Sequence, residues 1–208
     1  MVRMSFARNE RDACCDALLS AGPDAPTLCA GWTAHDLAAH LWVRENDPIG
    51  VPGMFVPALA KVTDDRMARV KKRWPFPELV ETIRRGPKAP SLFALPGLDE
   101  QANTVEYFVH TEDVRRPAGL EPRELPAELE DVLWGRARSM AKLLLRGSHD
   151  GIVLERETGE SAHVQPGSEI VTVIGKPSEL MLFTFGRKQA ARVRYVGEAG
   201  AVMRVRRD

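Results

Sequence analysis

The stretch Asn103-Thr-Val-Glu-Tyr-Phe-Val-His-Thr-Glu-Asp113 decides how the N-terminal part of the chain is organised. It lies within a segment from about Asp99 to Arg115 that predicts a long helix. Glu106 and His110 are four residues apart, so a helix places both on one face, and Asp113 follows on that face. A carboxylate and an imidazole one turn apart can bind one cation. On its own the pair is common in helices, either exposed or with a hydrogen-bonded core histidine.

A second predicted helix begins in Gly31-Trp-Thr-Ala-His-Asp36. Thr33 is a good N-cap residue, and Asp36 places a carboxylate beside the positive end of the helix. The helix runs to about Glu45 and carries His40 on or beside its apolar stripe. A lone histidine in such a position is typical of a satisfied core residue.

His40, Glu106 and His110 together favour a metal site. Helical bundles build such sites from carboxylates and imidazoles that project inward from facing helices. Two imidazoles and one carboxylate suit zinc, iron or nickel. Three protein ligands leave one coordination position open, which is typical of ligand binding or catalysis rather than of a closed structural site.

The rest of the chain predicts an α+β protein with two domains. A helical domain covers 1–146 and a small α+β domain covers 147–208, because β-branched segments begin after Gly147. Besides the two helices above, the pattern predicts helices near 5–19, 54–73, 76–85, 126–146 and 180–185, a Pro/Gly-rich connection over 86–97, and strands near 152–154, 169–174, 192–196 and 201–205.

Composition excludes several classes of partner. The 208 residues contain 29 Lys plus Arg and 29 Asp plus Glu, so no net field recruits nucleic acid or a membrane surface. We expect no secretory signal and no membrane span. Cys14 and Cys15 are adjacent and Cys29 stands alone, which predicts neither disulfides nor a thiolate metal site and favours a reducing cytoplasm.

Three further side chains in or near the second helix are predicted to have structural rather than functional roles. Trp32 and Trp42 are predicted to pack at helix ends, and His35 in the first turn is predicted to face solvent. The sequence does not indicate an oligomeric state, so monomer and homodimer both stay open.

Two segments carry a family resemblance. The segment Gly31-Trp-Thr-Ala-His-Asp-Leu-Ala-Ala-His-Leu41 resembles the first signature of DinB-like metal-binding domains, in the branch of the actinobacterial mycothiol-dependent maleylpyruvate isomerases. The segment from Glu106 to Asp113 resembles that branch's second signature, Glu-x-x-x-His-x-x-Asp. The likeness extends over about 6–146.

The resemblance implies a four-helix bundle that binds Zn²⁺, with Ni²⁺ or Fe²⁺ as alternatives, through His40, Glu106 and His110. Asp113 matches a position that steadies an imidazole. Leu180-Met-Leu-Phe-Thr-Phe-Gly-Arg187 resembles the Leu-rich helix of the small C-terminal domain in these isomerases. Arg187 is then the candidate to bind a substrate carboxylate, while a solvated arginine after a helix cap is the structural alternative.

The function that follows is a thiol-dependent isomerase or S-transferase. A metal-bound thiolate, with mycothiol as the implied thiol, would add to a small electrophile and then leave or stay. A metal-dependent hydrolase is the first alternative, with Asp113 or Glu112 as the nearby candidate bases. A non-catalytic metal- or thiol-binding protein is the second.

Overall fold

The computed structural model describes residues 5–87, 91 and 98–207, except for the side chains of residues 98, 99, 101 and 102. The chain divides into two compact units, Met1–Pro122 and Arg123–Asp208. The first is helical and the second contains a small sheet, which confirms the predicted α+β class. The connection predicted over 86–97 lies largely outside the described residues.

The first unit is a helical bundle around one apolar core. Within it α1 packs along α5, and α2 packs against both α3 and α4. The core includes Cys14, Leu37, Leu79 and Tyr107, each fully buried. The helices are α1 (Phe6–Ala21), α2 (Ala34–Asn46), α3 (Ala60–Arg73), α4 (Phe76–Arg84) and α5 (Leu98–Arg115).

Helix α2 begins where the sequence predicts it. The Thr33 hydroxyl accepts a hydrogen bond from the Asp36 amide at 3.3 Å, and the Asp36 carboxylate accepts one from the Thr33 amide at 3.0 Å. This reciprocal capping box satisfies two amides that have no partner within the helix. It fixes the start of the helix that carries His40.

Two predictions for the first unit need correction. The helix expected over 54–73 begins at Ala60, after two short 3₁₀ helices at Val51–Met54 and Pro57–Leu59. A proline lacks an amide hydrogen and is tolerated only in the first turn, so Pro57 starts a new element. Arg11, assigned to the polar positions of the first helix, is almost completely buried.

The second unit packs helices against a four-stranded sheet of order β2-β1-β3-β4. Strand β1 pairs parallel with β3, and the β1–β2 and β3–β4 pairs are antiparallel. Helices α7 and α8 both contact β3, and α6 contacts β2 and α7. The elements are α6 (Ala127–Leu144), β1 (Gly151–Arg156), β2 (Ser161–Gln165), β3 (Ile170–Gly175), α7 (Pro177–Thr184), β4 (Arg194–Val196) and α8 (Ala199–Arg207).

The boundary between the units differs from the predicted one. The compact units divide between Pro122 and Arg123, whereas the sequence placed the division between 146 and 147. The reason is that α6 packs on α7 and β2 and therefore belongs to the second unit.

The strand predicted over 201–205 is wrong, because this segment is part of α8. The Glu198 carboxylate accepts a hydrogen bond from the Ala201 amide at 2.9 Å and so caps the helix. Ala201 and Val205 are both buried, and their spacing of four residues is helical.

No helix in the described ranges combines the length and the hydrophobicity that crossing a bilayer requires. The cytoplasmic location stays a prediction.

Candidate metal centre

Helix α5 places Glu106 and His110 side by side. The His110 Nε2 atom lies 3.2 Å from Glu106 Oε1, as the four-residue spacing predicts. Both side chains are mostly buried, with 9% of the His110 side chain and 19% of the Glu106 side chain exposed. The pair therefore lies at the edge of the bundle core and keeps a route to solvent.

Helix α2 brings His40 to this pair. The His40 Nε2 atom lies 3.5 Å from the same Glu106 oxygen, and the His40 and His110 ring centroids are 5.4 Å apart. One ligand atom from each of the three residues lies within 4.8 Å of the others. The structure thus brings together the three residues that the sequence nominates as metal ligands. We call them the metal group.

Asp113 contacts the opposite side of the His110 ring. Its Oδ2 atom lies 2.8 Å from His110 Nδ1, and Asp113 is fully buried. A carboxylate in this position would fix the orientation and tautomer of a metal-binding imidazole, with the hydrogen on Nδ1 and with Nε2 left for the cation. The contact is the one that the sequence resemblance implies for Asp113, and its supporting role stays a prediction.

The charges in the metal group are set by burial and by close partners. Burial alone would raise the pKa of Glu106, but hydrogen bonds from His110 and His40 and the charges of His110 and Arg44 hold it well below its usual value. Burial lowers the pKa of His40 and outweighs the opposing effect of Glu106. Glu106 is therefore an anion and His40 a neutral imidazole, the forms that coordinate a cation.

His110 behaves differently from His40. Burial would lower its pKa, but its hydrogen bonds to Asp113, Cys29 and Glu106 raise it well above its usual value. Without a cation, His110 is a protonated imidazole between two carboxylates. A bound metal ion would take the place of the proton on Nε2.

The donor set fits a divalent cation. Ligands about 2.0–2.2 Å from a tetrahedral zinc ion lie about 3.4 Å apart. The distances of 3.2 and 3.5 Å from Glu106 to the two histidines agree with this spacing. Two imidazoles and a carboxylate also suit Ni²⁺ and Fe²⁺.

A buried polar network reaches the metal group and was not predicted. Arg44 lies 3.2 Å from the Glu106 oxygen through Nε and also donates to the Asn103 side chain. Asn103 donates to Glu45 at 2.7 Å, and Arg11 donates to the other Glu45 oxygen at 2.6 Å. The signal that could have found Arg44 is its position four residues after His40, on the same face of α2.

Other residues near the group also differ from expectation. Trp32, predicted to pack a helix end, lies against His40 with ring centroids 5.0 Å apart. His35, predicted to face solvent, is only partly exposed and packs edge-on against Phe76. Burial, followed by the charge of Lys71, lowers the pKa of His35.

Two predicted catalytic candidates have other partners within their own units. Glu112 is buried and accepts a hydrogen bond from Arg116 at 2.6 Å. Arg187 belongs to the second unit, where its guanidinium donates to the Phe185 carbonyl at 2.7 Å and lines a pocket of about 400 Å³. Recognition of a substrate by Arg187 stays a prediction.

Together the fold and this group define an α+β protein whose helical unit carries a candidate divalent-metal centre. Residues 6–91 match the family model described as the mycothiol maleylpyruvate isomerase N-terminal domain. Residues 6–91 are thus similar to that family's N-terminal domain, in agreement with the resemblance that the motif at Gly31 to Leu41 indicates. The matched region contains His40, whereas Glu106 and His110 lie beyond it.

Solved structures share the fold over nearly the whole chain. A crystal structure of a histidine-to-alanine mutant of the mycothiol-dependent maleylpyruvate isomerase has a TM-score of 0.62 at 17% identity, covering 93% of this chain and 92% of that one. A second crystal structure of the mycothiol-dependent maleylpyruvate isomerase has a TM-score of 0.53 at 15% identity, with the same coverage. At these identities the likeness shows the fold. The comparison with curated proteins finds no sequence match.

Proposed function

We propose that the protein is a metal- and thiol-dependent enzyme, an isomerase or S-transferase that acts on a small electrophile. The observation that carries this proposal is the convergence of His40, Glu106 and His110, whose ligand atoms lie within 4.8 Å of one another. Three protein ligands leave a position for a further ligand, and the partial exposure of Glu106 supports access to it.

Each residue of the group has a defined task. His40 and His110 provide neutral nitrogen ligands, and Glu106 provides the anionic one. Asp113 holds His110 so that Nε2 faces Glu106. A divalent cation bound there, with zinc as the first choice, lowers the pKa of a coordinated thiol so that the thiol reacts as its anion near neutral pH.

The identity of the thiol and substrate is proposed from the family. The descriptions of the matched family and of the two solved structures name mycothiol and maleylpyruvate isomerase. We therefore infer that mycothiol is the thiol and that the substrate is a small carboxylate-bearing electrophile of the maleylpyruvate type. Arg187 is the proposed partner of the substrate carboxylate, because a guanidinium can bind it with two parallel hydrogen bonds.

The hydrolase alternative has less support. It needs a general base beside the open position, and the two predicted candidates have other partners. Glu112 is paired with Arg116, and the Asp113 oxygen lies on the Nδ1 side of His110, away from Glu106. A non-catalytic metal-binding protein would have the same metal group. A measurement of turnover distinguishes it from an enzyme.

The test is turnover by the zinc-loaded full-length protein with mycothiol and maleylpyruvate, followed as formation of the trans isomer. We expect activity that requires both zinc and the thiol and that His40→Ala abolishes together with the bound metal. Thiol-dependent activity that persists in a metal-free His40→Ala variant would exclude the proposed role of the metal. Metal binding with no turnover of maleylpyruvate or other electrophiles would favour the non-catalytic alternative.

A matched variant controls for the loss of a polar side chain from α2. Asn46 lies near the end of α2, and its side chain donates to the Trp42 carbonyl at 3.0 Å. Asn46→Ala should retain metal and activity within about twofold, because a surface change outside the metal group has a small effect.

A further inference from the structure

The Thr27 hydroxyl forms hydrogen bonds within the loop between α1 and α2. Thr27 Oγ1 lies 2.9 Å from the Trp32 carbonyl oxygen and accepts a hydrogen bond from the Cys29 amide at 3.2 Å. The Trp32 amide donates to the Cys29 carbonyl at 2.9 Å. Thr27, Cys29 and Trp32 therefore hold fixed positions relative to one another. We call residues 27–32 the 27–32 loop.

One side of the 27–32 loop forms hydrogen bonds with Asp113. The Leu28 amide donates to the Asp113 carbonyl at 2.9 Å. The Cys29 thiol donates to Asp113 Oδ2 at 3.2 Å, and this same oxygen lies 2.8 Å from His110 Nδ1. The loop therefore holds both the backbone and the carboxylate of the residue that orients His110.

The other side of the loop contacts His40. The Trp32 ring lies 5.0 Å from the imidazole, with the planes inclined by 48°. His40 Nδ1 is buried, and the described part of the chain supplies no hydrogen-bond partner for it. His110 thus has a carboxylate on its Nδ1, whereas the orientation of His40 depends on packing against Trp32.

We propose that the 27–32 loop is a positioning element for both metal-binding imidazoles, acting on His110 through Cys29 and Asp113 and on His40 through Trp32. This inference rests on the proposed metal site. A ligand held in one orientation before the cation arrives loses less freedom on binding, so the loop raises metal affinity. Cys29 is a positioning residue here, although its sulfur also lies within 4.8 Å of the ligand atoms of His110 and Asp113.

The test compares zinc dissociation constants of full-length variants, measured by competition with a chromophoric chelator. We expect Cys29→Ala to weaken zinc binding about fivefold, which is about 1 kcal/mol, and Cys29→Ser to restore most of it, since a hydroxyl also donates. Trp32→Leu should weaken binding by a similar factor. Thr27→Val keeps the side-chain shape but removes the hydroxyl that makes the hydrogen bonds within the loop, so it should also weaken zinc binding. It serves as the test if Trp32→Leu fails to fold.

Matched controls come from the same unit. Cys15 donates its thiol to the Val80 carbonyl at 3.7 Å, and Trp42 packs against Trp74 with ring centroids 4.9 Å apart. Cys15→Ala and Trp42→Leu remove the same chemical groups outside the loop and should leave zinc affinity within about twofold.

The outcomes separate the loop from the metal site. Wild-type affinity in Cys29→Ala, Trp32→Leu and Thr27→Val, or equal losses in the controls, would overturn the positioning role while leaving the metal site in place. A thiolate charge-transfer band in the Co²⁺-loaded wild type, absent in Cys29→Ala, would make Cys29 a ligand and also overturn it. Wild-type protein that binds no zinc would refute the metal site itself, and the loop proposal with it.

Discussion

Asp113 contacts the metal group through the imidazole of His110. Its Oδ2 atom lies 2.8 Å from His110 Nδ1 and accepts a second hydrogen bond from Cys29. A fully buried carboxylate with these partners is suited to orienting a ligand. It is not suited to accepting a proton from a substrate on the far side of the ring.

Asp113→Ala should therefore weaken metal binding by about 10–100-fold, the usual effect of removing the partner of a metal-binding histidine. Calorimetric titration of the metal-free variant with Zn²⁺ measures this loss. Glu112→Gln is the control, because Glu112 is the neighbouring buried carboxylate and pairs with Arg116. Equal affinities in the two variants would contradict the orienting role.

The part of the site that lies on α5 could be predicted because its signal is local. Spacings of four and three residues put Glu106, His110 and Asp113 on one face of a helix before any tertiary structure is known. Cys29 could not be found in this way, since its relation to Asp113 arises only when the loop before α2 meets α5. Arg44 has a local signal in its spacing from His40. Arginine is not a metal ligand, however, so a search of the sequence for ligands does not select it.

At the level of elements, α1, α2 and α5 are joined by a buried ion pair. Arg11 of α1 donates to Glu45 of α2 at 2.6 Å and to the Tyr107 hydroxyl of α5 at 2.7 Å. The Arg11 and Glu45 side chains are 2% and 1% exposed. The sequence placed Arg11 among the polar positions of α1, because a charged residue in an amphipathic pattern is usually solvated.

Arg11→Met should lower the free energy of unfolding by about 3–5 kcal/mol, because Glu45 would stay buried without its cation. Urea denaturation followed by circular dichroism measures the change. Arg8→Met is the control: the Arg8 side chain is 62% exposed and its contact with Asp12 is 3.4 Å long, so we expect a loss below about 1 kcal/mol. A loss for Arg11→Met as small as that of the control would show that the pair is not a structural link.

A second contact between elements joins α2 to α3. Asp36 accepts a hydrogen bond from Lys71 at 2.6 Å and belongs to the capping box with Thr33. Burial alone would raise the pKa of Asp36, but the hydrogen bonds from Lys71 and Thr33 lower it below its usual value. Since the folded state favours the carboxylate, this contribution to stability is present above the unfolded-state pKa and is lost as the pH falls through the folded-state pKa.

Asp36→Asn should lower the free energy of unfolding by about 1 kcal/mol near neutral pH. The difference from wild type should shrink as the pH falls below about 4, the ordinary pKa of an aspartate. Urea denaturation at a series of pH values tests this, with Asp65→Asn as the control because the Asp65 side chain is 55% exposed. A difference that stays constant or grows in acid would contradict the assigned direction of the pKa change.

At the scale of the whole molecule, sequence patterns predicted the classes of most elements but not how they group. Helix α6 was correctly predicted, yet it packs with α7 and β2 rather than with the first unit. Its apolar residues at helical spacing predict a buried face but do not specify the element that covers it. The same ambiguity explains α8, where Ala201 and Val205 match both helical spacing and strand alternation.

The chain thus consists of a helical unit that contains every residue of the metal group and a second unit that contains Arg187. Metal binding is expected to depend on the first unit, and substrate recognition is proposed to involve the second. The two activities should therefore respond to different substitutions. Arg187→Met should retain zinc affinity within about twofold, since none of the proposed ligands belongs to its unit.

Metal content measured by mass spectrometry after equilibrium dialysis against Zn²⁺ tests the metal group most directly. We expect one zinc ion per wild-type chain and less than about a tenth of that in His40→Ala, Glu106→Ala and His110→Ala, because each removes one of three ligands. Wild-type protein without zinc, or undiminished zinc in His40→Ala, would contradict a shared cation between α2 and α5.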